Sequence, residues 1–185
     1  MSDFTSKPVS PTVAAIIVAA GSGQRMTAPD KPQSENIPKQ FRLLGDKPVI
    51  CWSVDAFAQH ENVTRIILVV GKSHEAHAQT IIDQHHINHS EMVTIITGGA
   101  TRMQSVRNGM AELSDAGYDG LVAIHDAARP LLQQGTLDAL IGKLAISSAK
   151  DVAGVIPVLS VSDSLKQVKD DLITGVIDRD KASAA

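Results

Sequence analysis

The chain has 185 residues, a formal net charge of −3 and only 3% aromatic residues. This length suffices for one α/β domain with a substantial core, whereas the net charge and the few aromatics argue against a nucleic-acid-binding surface. The single cysteine, Cys51, excludes an internal disulfide, no apolar run approaches the roughly 20 residues of a membrane helix, and the polar residues 1–12 predict a flexible tail on a cytoplasmic protein.

Apolar runs and 3.6-residue spacing predict alternating strands and helices along the chain. In chain order these are strand Val13–Ala19, helix Pro48–His60, strand Val63–Val70, helix His74–His85, strand Met92–Thr97, helix Thr101–Leu113, strand Gly120–Ile124, helix Gln133–Ser148 and strand Val152–Val158. The proline-rich segment Thr27–Pro38 predicts a loop. The alternation predicts a three-layer α/β fold over residues 13–158, with a mainly parallel twisted sheet and helices on both faces.

Residues 159–180 follow a different pattern, with alternating apolar residues and several turn residues but no helical spacing. This pattern predicts a protruding β-arm. Because an isolated hairpin is marginally stable in water, we expect the arm to pack on a partner subunit and to mediate dimerisation.

The first predicted strand ends in a glycine-containing turn, residues 19–25, with Gly21, Gly23 and Arg25. Glycines let backbone N–H groups approach phosphate oxygens, and the planar guanidinium of arginine suits phosphate. A dinucleotide-binding fingerprint would need a third glycine where Met26 stands, which disfavours an NAD-dependent oxidoreductase, and the P-loop spacing is also absent. The turn therefore predicts a nucleotide site, and an ordinary glycine turn is the alternative.

Two further segments follow predicted strands, Gly98–Val106 and Ile124–Pro130. Ligands of parallel α/β sheets bind outside the carboxyl ends of the strands. Three chemically suggestive segments at one edge of the sheet indicate a single site there.

The motifs A-A-G-x-G-x-R-M at residues 19–26, P-K-Q at 38–40, G-G-x-x-R-x-x-S-V at 98–106 and H-D-A-A-R-P at 125–130, with Val176–Arg179 at the end of the arm, carry a family resemblance. Together they resemble the 2-C-methyl-D-erythritol 4-phosphate cytidylyltransferases, over roughly Val13 to Arg179. The resemblance implies a nucleotide-diphospho-sugar transferase-like, Rossmann-like fold. The ribitol-5-phosphate cytidylyltransferases have similar elements and are the alternative family.

The resemblance implies that CTP and 2-C-methyl-D-erythritol 4-phosphate react to 4-diphosphocytidyl-2-C-methyl-D-erythritol and pyrophosphate, a step of non-mevalonate isoprenoid biosynthesis. It also implies Mg²⁺ as cofactor and a homodimer. A non-catalytic nucleotide-binding module remains a further hypothesis, since the family continues past the arm and we expect its C-terminal part to be absent after Ala185. Some relatives are also fused to a cyclodiphosphate synthase.

The resemblance also implies roles for individual residues. The nucleotide would contact Ala19, Ala20, Gly21, Gly23, Gly99, Ala100 and Ser105, with the last three reading the cytosine. The catalytic residues would be Arg25 and Lys39, which stabilise the triphosphate, and Asp126, which also lies near Mg²⁺. The acceptor would be bound by Asp126, Arg129, Ser164 and Arg179, the last two across a dimer interface.

Several of these residues have structural alternatives. Asp126 could cap the turn after its strand, Ser105 could bond to the helix backbone, and Arg179 could be a surface charge. Arg102 and Arg107 are interpreted as solvated or structural.

Overall fold

The protein is described by a computed structural model over residues 11–21, 37–85, 90–146 and 152–185. Its internal contacts divide the chain into two units, Met1–Gln134 and Gly135–Ala185. Ten strands and four helices are assigned in this described part of the chain. They are β1 (Val13–Ala19), β2 (Leu43–Leu44), β3 (Lys47–Pro48), α1 (Val49–Ala58), β4 (Val63–Val70), α2 (Glu75–Gln84), β5 (Val93–Thr97), α3 (Arg102–Asp115), β6 (Leu121–Asp126), α4 (Gln134–Ile146), β7 (Leu159–Ser160), β8 (Lys166–Lys169), β9 (Leu172–Val176) and β10 (Ser183–Ala184). Short 3₁₀ helices lie at Lys39–Phe41, Ser90–Met92 and Arg179–Lys181.

A four-stranded parallel sheet with the order β5-β4-β1-β6 forms the centre of the first unit. β1 lies inside this sheet and is an almost continuous apolar run with the burial expected of a central parallel strand. Its register aligns Ala19 with Val70 of β4 and Val18 with Asp126 of β6. The carboxyl ends of three strands therefore lie side by side.

Helices cover both faces of the sheet, which confirms the predicted three-layer α/β fold. On one face, Leu113 of α3 belongs to a core cluster with Ile16 and Val69. α3 comes so close at Gly109 that a Cβ there would lie 2.7 Å from Cγ2 of Ile16. The opposite face, with Ile17, is equally buried, and α1 contacts β1 and β4.

The predicted strands Val13–Ala19 and Val63–Val70 have the observed bounds, and the other predicted elements of the first unit differ by a few residues at their ends. The last two residues of the predicted helix Gln133–Ser148 lie outside the described residues, as do most of the predicted loop Thr27–Pro38 and of the predicted tail. The proposed boundary between residues 158 and 159 stays a prediction.

The predicted strand Val152–Val158 is wrong, since the structure has no strand over these residues. A run of apolar residues is not sufficient for a strand, which also needs backbone donors for pairing and side chains that pack. Pro157 has no N–H to donate, and Gly154 adds no side chain to pack. Ile156 is 69% exposed, so this apolar run is not a buried strand.

The predicted hairpin is confirmed in the second unit, where β8 and β9 pair antiparallel. The two-residue loop consists of Asp170 and Asp171, with φ of 50° and 61°. Positive φ at both loop positions matches the twist of the flanking strands, and aspartate tolerates this conformation better than most residues. In the described part of the chain, no helix is long and apolar enough to cross a membrane.

Candidate functional site

A pocket of about 840 Å³ opens at the carboxyl ends of β1, β5 and β6. The pocket lies at the edge of the sheet where the sequence predicts the site. The pocket brings together nine of the predicted site residues, which are Ala19, Ala20, Gly21, Lys39, Gly99, Ala100, Ser105, Asp126 and Arg129. Gly23 and Arg25 lie outside the described residues.

The turn after β1 is held by a buried side-chain amide. Gln40 is 3% exposed, and its Nε2 donates to the carbonyl oxygens of Ala19 at 2.7 Å and Gly21 at 3.3 Å. One amide group thus fixes the carbonyls on both sides of Ala20. Lys39, the adjacent residue of the same 3₁₀ helix, is exposed and lines the pocket.

The loop after β5 packs closely against the turn after β1. The N–H of Gly98 donates to the Val70 carbonyl at 2.7 Å. A Cβ at Gly98 would lie 2.5 Å from Cβ of Ala20 and 2.8 Å from Oγ of Ser105, so a larger residue would displace the loop. A Cβ at Gly99 would overlap the Gln104 side chain. Both glycines are needed for space.

The Ser105 hydroxyl bonds to the backbone, as the structural alternative predicted. It donates to the Thr101 carbonyl at 3.0 Å and accepts from the N–H of Gly99 at 3.1 Å. Ser105 is buried, and Thr101 caps α3 by accepting from the N–H of Gln104 at 3.1 Å. The hydroxyl proton is therefore committed to the protein, and the hydroxyl oxygen can only accept from a ligand.

The turn after β6 is fixed to the sheet by its backbone. The N–H of Ala127 donates to the Val18 carbonyl at 3.0 Å, and the Ser53 hydroxyl donates to the Ala127 carbonyl at 3.0 Å. Nε2 of His125 lies 3.0 Å from the Arg129 carbonyl oxygen. Burial lowers the pKa of His125 below its usual value, which favours the neutral ring.

Three cations and one carboxylate line the described part of the pocket. Nε of Arg102 lies 2.8 Å from Oδ1 of Asp126, and Nε of Arg129 lies 3.9 Å from Oδ2. Lys39 adds the third positive charge. This excess favours an anionic ligand even though the chain is negative overall.

Arg102 and Gln40 are among the pocket-lining residues that were not predicted from the sequence as site residues. Arg102 was interpreted as solvated or structural; its side chain is 59% exposed and pairs with Asp126, and it also lines the pocket. Gln40 belongs to the P-K-Q motif, but its hydrogen-bond acceptors are backbone carbonyl oxygens. Because every residue has a backbone carbonyl, the residue types in the sequence do not indicate these bonds.

Asp126 is the only carboxylate among the described residues that line the pocket, and the described ranges contain no cluster of three metal-ligating side chains. Mg²⁺ is commonly bound by one or two carboxylates with substrate phosphates and waters. One carboxylate beside a cationic pocket fits a metal that arrives with a polyphosphate.

The remaining predicted site residues lie in the second unit. Ser164 is exposed, and Arg179 begins a 3₁₀ helix capped by Asp178. Nη1 of Arg179 donates to the Ser162 carbonyl at 3.3 Å. Arg179 therefore lies beside the segment that carries Ser164.

A family model for 2-C-methyl-D-erythritol 4-phosphate cytidylyltransferase matches residues 13–185. The chain belongs to this family. A bifunctional IspD/IspF enzyme of Bartonella tribocorum is 39% identical over 168 residues, which are 91% of this chain and 38% of the relative. A 2-C-methyl-D-erythritol 4-phosphate cytidylyltransferase of Bifidobacterium longum subsp. infantis is 34% identical over 143 residues, which are 76% of this chain and 46% of the relative.

Among solved structures, a 4-diphosphocytidyl-2C-methyl-D-erythritol synthase matches with a TM-score of 0.71 at 27% identity, covering 94% of this chain and 71% of that one. The family resemblance found in the motifs is thus confirmed, and so is the fold. The chain spans less than half the length of the two curated relatives named above.

Proposed function

We propose that the protein transfers a cytidylyl group from CTP to 2-C-methyl-D-erythritol 4-phosphate, in non-mevalonate isoprenoid biosynthesis. A phosphate oxygen of the acceptor attacks the α-phosphorus of CTP. The bond from that phosphorus to the oxygen bridging to the β-phosphate breaks, and pyrophosphate leaves with the electron pair. The products are 4-diphosphocytidyl-2-C-methyl-D-erythritol and pyrophosphate.

The observation that carries this proposal is the pocket itself. It joins a glycine turn, a lysine, a capped helix start and an aspartate-arginine turn at one sheet edge. In such a reaction the protein forms no covalent bond to the substrates. It contributes by aligning the two substrates and by stabilising the charge on the phosphates. Three cations around one carboxylate suit that task.

The proposed base site consists of Gly99, Ala100 and Ser105. Because the Ser105 proton is donated to the Thr101 carbonyl, its oxygen offers a ligand only an acceptor. The exocyclic N4 group of cytosine donates, whereas O4 of uracil accepts. This arrangement supports a preference for CTP over UTP.

The proposed triphosphate site consists of the turn at Ala19, Ala20, Gly21 and Gly23 together with Arg25 and Lys39. Backbone N–H groups and cationic side chains would bind the phosphate oxygens. Asp126 would hold Mg²⁺ together with the triphosphate. When bound, the metal would neutralise charge on the phosphates.

The proposed acceptor site consists of Asp126 and Arg129, with Ser164 and Arg179 from a second copy of the chain. This proposal makes the protein a homodimer. We also propose a cytoplasmic location, where nucleoside triphosphates are supplied.

The decisive experiment measures pyrophosphate release with Mg²⁺ from CTP, UTP, ATP or GTP, each with 2-C-methyl-D-erythritol 4-phosphate or ribitol 5-phosphate. We expect release only from CTP with the methylerythritol phosphate. Faster release with ribitol 5-phosphate would assign the alternative acceptor. Binding of CTP by calorimetry without release from any pair would contradict catalysis and identify a nucleotide-binding module.

A further inference from the structure

Arg102 connects two of the loops that line the pocket, the loop after β5 and the turn after β6. It is the first residue of α3, and its backbone is fixed because the preceding Thr101 caps the helix. From there its Nε reaches Oδ1 of Asp126 at 2.8 Å, 24 residues further along the chain. The proposed base site and the proposed acceptor site are thus joined by one side-chain contact.

This contact leaves the two oxygens of the Asp126 carboxylate in different situations. Oδ1 accepts from Arg102, whereas Oδ2 lies 3.9 Å from Nε of Arg129, beyond hydrogen-bond distance. Among the described residues, only Oδ1 has a hydrogen bond within the chain, so Oδ2 keeps its capacity to accept from a ligand. The planar guanidinium of Arg102 fixes the orientation of the carboxylate better than a flexible ammonium would.

The ion pair contributes little to folding. The Arg102 and Asp126 side chains are 59% and 36% exposed, and ion pairs at such exposure add little stability. The ion pair instead determines the orientation of the Asp126 carboxylate. We propose that Arg102 is a positioning residue, which holds Asp126 with Oδ2 directed to the acceptor. Because Arg102 follows the loop after β5, which carries the proposed base site, this contact couples the ordering of that loop to acceptor binding. This inference rests on the proposed function, because it takes Asp126 as an acceptor contact.

The first test compares Arg102→Met and Arg102→Lys with Arg107→Met, an exposed arginine of the same helix that does not line the pocket. For R102M we expect kcat/KM for 2-C-methyl-D-erythritol 4-phosphate to fall about tenfold, chiefly through a higher KM, with CTP affinity within about twofold of wild type. R102K should restore part of the loss, and R107M should behave as wild type. An equal loss of CTP affinity in R102M would instead make Arg102 a triphosphate contact.

The second test is a double-mutant cycle with Asp126→Asn. Acceptor affinity is measured by calorimetry in the presence of a non-hydrolysable methylene analogue of CTP. If Arg102 acts through Asp126, R102M weakens binding in the wild-type background but changes it less than about twofold beside D126N. Additive losses would overturn the inference while leaving the proposed function intact. A wild-type protein that neither binds the acceptor nor releases pyrophosphate would overturn both.

Discussion

β1 in the parallel sheet and the β8–β9 hairpin carry similar aliphatic side chains but expose them very differently. Ile16 of β1 is 0% exposed, whereas Ile173 of β9 is 68% exposed. Leu172 and Val176 of the hairpin are 70% and 71% exposed. A parallel strand in an α/β sheet is covered by helices on both faces, whereas a two-stranded hairpin has only its own hydrogen bonds and whatever packs on it.

This difference separates two sources of stability in one chain. The sheet obtains stability from apolar burial within its own unit. The hairpin is specified locally, by its two-residue Asp170–Asp171 loop, and its exposed apolar residues remain available for a partner. We therefore expect matched substitutions in the two regions to have different effects.

The largest difference is expected for the pair Ile16→Ala and Ile173→Ala. Loss of a fully buried isoleucine side chain should lower the free energy of unfolding by about 2–5 kcal/mol, because it leaves a cavity between the sheet and α3. The same change at Ile173 should cost less than about 0.5 kcal/mol. Urea unfolding followed by circular dichroism measures both. Equal losses would contradict the comparison.

A second matched pair concerns charge. Lys39→Ala removes a cation from the pocket, and Lys169→Ala removes one from the hairpin. We expect K39A to lower kcat by about 10²–10³-fold, with little change in the melting temperature. The reason is that removing one preorganised contact to the charge that develops in the transition state lowers kcat by about this factor. K169A should leave kcat unchanged. Near-normal turnover of K39A would remove Lys39 from the proposed triphosphate site.

A third pair tests the buried amide. In Gln40→Glu, an oxygen would replace the Nε2 donor and face the carbonyls of Ala19 and Gly21. We expect a loss of about 1–3 kcal/mol in unfolding free energy, because a buried polar group loses its partners, and weaker CTP binding. Gln167→Glu, on the exposed hairpin, is the control and should change neither quantity. Unchanged CTP affinity in Q40E would separate Gln40 from the nucleotide site.

The sequence was sufficient to predict β1, β4 and the edge of the sheet that carries the pocket. An apolar run bounded by glycine is a local signal, and the carboxyl ends of parallel strands always meet at one edge. The hairpin was also predictable, since alternation and turn residues lie within a few positions of each other.

Features that depend on distant parts of the chain were not predictable from the sequence. The pair of Arg102 and Asp126 requires the relative placement of two loops, and the Gln40 bonds end on carbonyl oxygens. The incorrect prediction of a strand at Val152–Val158 has the same cause, because a strand needs a neighbouring strand to pair with as well as an apolar sequence.

The smallest expected effect concerns the packing of a second copy on the exposed apolar residues of the β8–β9 hairpin. If a second copy packs on Val168 and Ile173, amide hydrogen exchange of β8 and β9 should slow as protein concentration rises, while exchange of β4 should not change with concentration. The reason is that β4 is buried within its own unit, whereas the hairpin would gain its protection from association. Ile173→Asp should abolish the concentration dependence and shift the protein to monomer in sedimentation. Monomeric wild-type protein at micromolar concentration, with hairpin exchange independent of concentration, would contradict both the homodimer and an acceptor site shared between two copies.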